Sequence, residues 1–167
     1  MTTSFEKPHV LAKNIPVHPV TPLVRDLMTP SPLTLSDENC LKDVEDLFNW
    51  KAIRHIPVIN ASGHLVGLVT HRDFLKLAVS RLAGFDAEEA EALYRSVKVG
   101  SIMGTKLKTI RPDVPLKFAA ELIFNEKLGC LPVVEDGALV GILTEADFVK
   151  AFVNWELEFA PAPKEKP

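Results

Sequence analysis

The residues best suited to chemistry sit in two related stretches. Residues 67–76 read GLVTHRDFLK, and residues 141–150 read GILTEADFVK. Each places a threonine hydroxyl three residues before an aspartate, where an apolar run gives way to helical spacing. Two chemistries suit that pattern. Thr70 with Asp73, and Thr144 with Asp147, form a capping box, in which hydroxyl and carboxylate satisfy free amides at a helix start. The same helix start offers N–H groups and partial positive charge to a phosphate. An aspartate at its rim accepts both hydroxyls of a ribose, and Arg72 beside it grips phosphate oxygens with a planar fork. The two copies differ in their charged residues: His71-Arg72 in the first becomes Glu145-Ala146 in the second.

These stretches belong to a longer internal repeat. Val24 to Asn60 superposes on Val99 to Glu135 at a shift of about 75 residues, which one deletion reduces by one thereafter. Met28 matches Met103, Thr34 matches Thr109, and Pro57-Val58 matches Pro132-Val133. Leu41, Val44, Leu47 and Phe48 have helical spacing, as do Leu116, Ala119, Leu122 and Ile123, with Pro115 suited to a first turn. The short runs HIPVIN and CLPVVE read as strands whose early proline needs a strand start or an edge. Asp136-Gly137 is a type I′ hairpin signal, and NASGH is the longer first-copy turn. LVGLVT and LVGILT are the return strands, each followed by a helix from about Arg72 and Ala146. Each unit is therefore β-α-β-β-α, an α/β fold. A unit of roughly 55 residues is marginal alone, so two copies are expected to pack sheet to sheet around a pseudo-two-fold, with a cleft where they meet.

The expected divisions are an extended, proline-bearing arm at 1–22, the first repeat at 23–80, a connecting helix at 81–97, the second repeat at 98–153 and a flexible tail at 154–167. Asp86 and Glu89 make a capping box for the connecting helix, whose apolar positions are Ala90, Leu93 and Val97. The formal net charge of -3 gives no pull toward nucleic acid or anionic membrane. No apolar run approaches the ~20 residues of a membrane span. Cys40 and Cys130 fit no metal spacing and make a thin case for a disulfide, so a cytoplasmic setting is the default. Neither a P-loop nor a Gly-x-Ser-x-Gly elbow occurs. The expectation is no enzyme, no metal and no required cofactor. Met28 and Met103 read as core or interface packing, and Gly67 and Gly141 as points of close backbone approach.

The repeat resembles the paired cystathionine-β-synthase (CBS) domain family, or Bateman module. VRDLMTPSPLTLS, AIRHIPVI and GLVTHRDFL carry the resemblance in the first copy; VGSIMGTKLKTI, LGCLPVV and GILTEADFV carry it in the second. It implies a stand-alone regulatory module that binds an adenosine-type nucleotide (AMP, ADP, ATP or a related molecule) in the cleft. Occupancy would pass to a protein partner by conformational change, in an energy-sensing role. A disc-like homodimer is implied as well. By the resemblance, the first ligand site comprises Thr34, Arg54, His55, Ile56, Pro57, Thr70, His71, Arg72 and Asp73. The second comprises Thr109, Gly129, Cys130, Leu131, Pro132, Thr144 and Asp147. Glu145 repels an anion where Arg72 attracts one, so the second site is expected to be weaker. The alternative is a protein-interaction or dimerisation module that keeps the fold and has lost the ligand.

Overall fold

Apolar side chains at helical spacing bury one stripe, and alternating ones bury one sheet face; both patterns are realised twice in this chain. The structure is a computed structural model and describes residues 21–82 and 85–159. The first repeat runs α1 (Val24–Leu27), β1 (Thr29–Pro30), β2 (Leu35–Ser36), α2 (Leu41–Lys51), β3 (His55–Ile59), β4 (Leu65–Thr70) and α3 (His71–Leu82). The connecting helix is α4 (Ala87–Ser96). A 3-10 turn (Val99–Ser101), α5 (Leu116–Glu126), β5 (Cys130–Glu135), β6 (Ala138–Thr144) and α6 (Glu145–Phe159) form the second repeat. The arm at 1–20 and residues 160–167 lie outside the described residues, with His9 and His18 among them. Helix α6 continues to Phe159, past the expected boundary at 153.

Turn chemistry follows the sequence closely. Asp136 and Gly137 have φ of 49° and 84°, as a type I′ hairpin needs. In the longer turn, the Asn60 side chain accepts the amides of Ser62 and His64. Pro57 and Pro132 sit third in β3 and β5, and the outer neighbour pairs only from the next residue, Leu35 with Val58 and Ile110 with Val133. A residue without an N–H is tolerated there. Asp86 caps α4 through the amides of Glu88 and Glu89, and Glu89 reciprocates to the Asp86 amide.

The repeats do not keep their own lead segments. Strand β1 pairs with β6 of the other repeat, placing Thr29 opposite Ile142, so the second sheet is ordered β1-β6-β5. The reciprocal exchange joins Leu68 of β4 to Gly104 through two hydrogen bonds, 3.0 and 2.9 Å. The first sheet is β2-β3-β4, with β2 parallel to β3 and β3 antiparallel to β4. Buried side chains form two clusters, each completed by the other copy's lead. Val97, Val99, Ile102 and Met103 pack with the first repeat, and Val24, Leu27 and Met28 with the second.

The two-fold relation reaches further back than the strands. Leu41 N–H donates to the Val97 carbonyl at 2.9 Å, and Leu116 N–H donates to the Pro22 carbonyl at 2.8 Å. One layer breaks the symmetry. Helix α4 packs along α2, and its Tyr94, absent from the expected apolar face, stacks on Phe74 with ring centroids 6.1 Å apart.

The matched methionines and glycines explain one another. A Cβ on Gly141 would stand 2.5 Å from Met28 Sδ and 3.2 Å from the Thr29 carbonyl oxygen. A Cβ on Gly67 would collide with the Met103 thioether in the same way. Each glycine is the floor on which the other repeat's methionine lies. Replacing either by alanine should cost ~1–3 kcal/mol by overpacking, read from urea unfolding. Gly67→Ala with Met103→Ala should cost less than the sum of the single changes, and strict additivity would refute the contact.

Candidate ligand site at the two helix mouths

Strand pairing assembles the residues expected to bind. Because β3 and β4 are antiparallel, His55 faces Thr70 and Ile56 faces Val69; in β5 and β6, Cys130 faces Thr144 and Leu131 faces Leu143. Each return strand runs straight into a helix, so Thr70 and Thr144 stand at the mouths of α3 and α6. The His71 N–H donates to the Arg54 carbonyl at 2.9 Å, and the Glu145 N–H to the Gly129 carbonyl at 3.4 Å. The residues before each proline strand are thereby tied to the helix that follows it.

Both Thr–Asp pairs are closed as caps. Thr70 Oγ1 donates to Asp73 Oδ2 at 2.6 Å and accepts the Asp73 N–H at 3.2 Å. In the second copy Asp147 Oδ2 accepts from both the Thr144 amide and hydroxyl, each at 2.7 Å. One carboxylate oxygen is occupied in each case. The Asp73 Oδ1 faces Lys76 at 3.8 Å, while the Arg72 guanidinium has no acceptor among the described residues. An exposed guanidinium beside a helix start is an anion-seeking arrangement. At α6 the corresponding residues are Glu145 and Ala146, and the local charge is reversed.

His55 crosses from one repeat to the other. Its Nε2 stands 2.5 Å from the position a Cβ on Gly129 would take, so the ring lies against the segment that leads into β5. Burial holds the His55 imidazole below its usual range; the Glu145 carboxylate opposes that shift and the Arg54 charge adds to it. The ring is neutral at pH 7. Cys130, its counterpart, is buried, and burial pushes its thiol up to about 12. Such a thiol is a packing group and not a nucleophile.

Other expected residues are placed differently. The His71 ring stands edge-on to Phe48, with centroids 5.1 Å apart, and lies 6.4 Å from the Phe74 ring, so it belongs to an aromatic cluster of its own repeat. Ile56, Pro57, Leu131 and Pro132 are buried strand residues whose side chains support the mouths from beneath. Thr34 is half-buried at the start of β2 and Thr109 is exposed. A hollow of about 360 Å³ contains Thr109 with Arg111 and Asp136 but none of the Thr-x-x-Asp residues. A second, of about 170 Å³, holds Asp73 with Phe74, Leu77, Ser101 and Ile102. The second hollow adjoins the mouth of α3 through Asp73. Ser101 and Ile102 were missed from sequence because they arrive with the exchanged lead segment. Their signal was the Met28–Met103 match, which marks where the leads cross.

Comparison with known proteins agrees with this architecture. Residues 24–80 and 99–154 match the CBS domain family. A candidate acetoin utilization protein from Vibrio cholerae is 34% identical, with a TM-score of 0.70 over 86% of this chain and all 100% of the other. CBSX2 of Arabidopsis thaliana, solved in complex with AMP, is 31% identical, with a TM-score of 0.66 over 80% of this chain and 98% of that one. The A-adding tRNA nucleotidyltransferase of Aquifex aeolicus is 33% identical over 81% of this chain, which spans only 15% of that enzyme. Two matched segments, two sheets with exchanged leads and two capped helix mouths carry one conclusion: the chain belongs to the CBS domain family, as a tandem pair.

Proposed function

We propose that this CBS pair is a regulatory module that binds an adenosine-type nucleotide at the mouth of α3, with Thr70 and Asp73 toward the ribose and Arg72 toward phosphate. One observation carries the reading. At one helix start an exposed guanidinium with no acceptor among the described residues neighbours in sequence a carboxylate whose Oδ2 is held by the cap and whose Oδ1 faces Lys76 at 3.8 Å. CBSX2, which holds AMP, supports the ligand class. The reading gives the chain a binding role, with no catalytic step.

Transmission follows from the exchange of lead segments. The hollow at Asp73 is lined by Val69 from one repeat and by Ser101 and Ile102 from the lead of the other. A ligand seated there touches both, and it shifts their arrangement by as much as its affinity for two arrangements differs. The reader of that shift would be a protein partner. Trp50, Phe118 and Phe124 stand exposed on α2 and α5, with Trp50 at 85% and Phe124 at 82%. Large exposed apolar side chains favour association, so we assign the chain a homodimeric state through α2 and α5. No described helix is long and apolar enough to cross a membrane.

A second reading has its own support: both Thr–Asp pairs are satisfied as caps with no ligand, which suits an interaction module that keeps the fold alone. Thermal-shift titration with AMP, ADP, ATP and S-adenosylmethionine separates the two. At least one should raise the wild-type Tm, and the rise should vanish in Asp73→Ala while surviving in Asp147→Ala. Either change should cost ~1 kcal/mol of stability through the lost cap, so stability alone does not discriminate. No response in wild type favours the second reading. Arg72→Ala should weaken AMP by ~10-fold or more, the scale of a charge-assisted hydrogen bond, with little effect on adenosine. Sedimentation should give a dimer, and Phe124→Ser with Trp50→Ser should shift it toward monomer; unchanged mass would refute the assigned interface.

A further inference from the structure

The two helix mouths differ in charge, and they differ also in what the other repeat brings against the segment tied to them. The pre-strand residues of the two repeats meet across the pseudo-two-fold. On one side His55 reaches from β3 until its Nε2 is 2.5 Å from the place of a Gly129 Cβ. Gly129 is in turn the acceptor for Glu145, the first residue of α6, at 3.4 Å. The imidazole therefore lies on the segment that leads into β5, at the residue hydrogen-bonded to the first residue of α6. Any other residue at 129 would displace it. On the related side, Arg54 accepts from His71 at the mouth of α3. The two-fold relation puts Cys130 where His55 sits on the first side, and Cys130 carries a single sulfur and is buried.

We infer that His55 acts as a plug in the mouth of α6, leaving α3 as the one nucleotide seat per chain, and that the small Cys130 is what keeps the α3 mouth open. The inference rests on the reading of the helix mouths as nucleotide seats, and it goes further by naming the residue that sets their number. Glu145 reinforces the plug by disfavouring an anion at α6 while facing the imidazole.

Calorimetry with AMP on the full chain tests it. Wild type should bind one AMP per chain, His55→Ala two, and Cys130→His should lose binding by ~10-fold or more, about 1.4 kcal/mol. A wild-type stoichiometry of two, an unchanged stoichiometry of one in His55→Ala, or loss of binding in that variant overturns the plug while leaving the nucleotide reading intact. Absence of AMP binding in both proteins removes the nucleotide reading itself. A ligand-free measurement checks where the ring lies. An imidazole whose folded pKa is depressed takes up a proton less readily folded than unfolded. Its contribution to stability is then present above pH ~6.5 and lost as pH falls below it. The fall in Tm between about pH 7.5 and about pH 5.5 should be smaller in His55→Ala than in wild type. An equal or larger fall contradicts the buried placement against Gly129, with Glu145 and Arg54 as the charged groups around the ring.

Discussion

The exchange of lead segments is the constraint on which the rest of this fold depends. Neither repeat closes its sheet or its core with its own residues. Strand β1 finishes the sheet of the second repeat, and the Gly104 segment finishes that of the first. Val24 and Val99, both fully buried, sit in the cluster of the opposite repeat. Units of this size bury too little surface to be stable singly, and a shared core makes each a condition for the other. The same exchange delivers Ser101 and Ile102 to the hollow at Asp73. Architecture and the lining of the proposed seat thus come from one crossing of the chain.

Much of this was readable in the sequence, for identifiable reasons. Helical and alternating periods, the Asp-Gly turn and the capping box at Asp86 are local signals, and local physics decided them. The connection of two such units was harder. The sequence suggested two copies packed sheet to sheet, and the structure adds that the buried residues divide into two clusters bridged by exchanged segments. Nothing in the spacing of Met28 and Met103 says whose glycine they cover, because strand pairing at long range is not encoded in period. His71 shows the same limit. Its position after Thr70 suggested a ligand contact, but the rotation of a helical residue by one step turned its ring toward Phe48 and Phe74. Arg72, one step further round, stayed outside.

On the proposed reading, the Thr–Asp pairs need not choose between capping and binding. A carboxylate has two oxygens and several lone-pair directions. The cap takes one oxygen in each copy, Oδ2 in both, through hydroxyl contacts of 2.6 and 2.7 Å. What remains is held in position by the bond already made, so its orientation is settled before a ligand arrives. Preorganised groups bind without the entropy cost of being ordered on contact. The cap is therefore a reason for the aspartate to be a good ligand contact, and the stability it lends is the same bond viewed from the fold.

The meeting of pre-strand residues at the pseudo-two-fold then explains why duplicated mouths diverged as a pair. Close-packed interiors leave no room for two bulky groups aimed at one point. His55 is accommodated because its neighbour across the two-fold is Gly129, with no Cβ to resist the ring. At the matching positions the first copy has the exposed Arg54 where the second has Gly129, and the second has the buried Cys130 where the first has His55. Charge moved in the same sense, with Arg72 kept at α3 and Glu145 placed at α6. The two repeats preserve a common frame because the exchanged leads demand it. They differ where the frame brings their ends together, and on the proposed reading volume and charge both favour an anion at the α3 mouth.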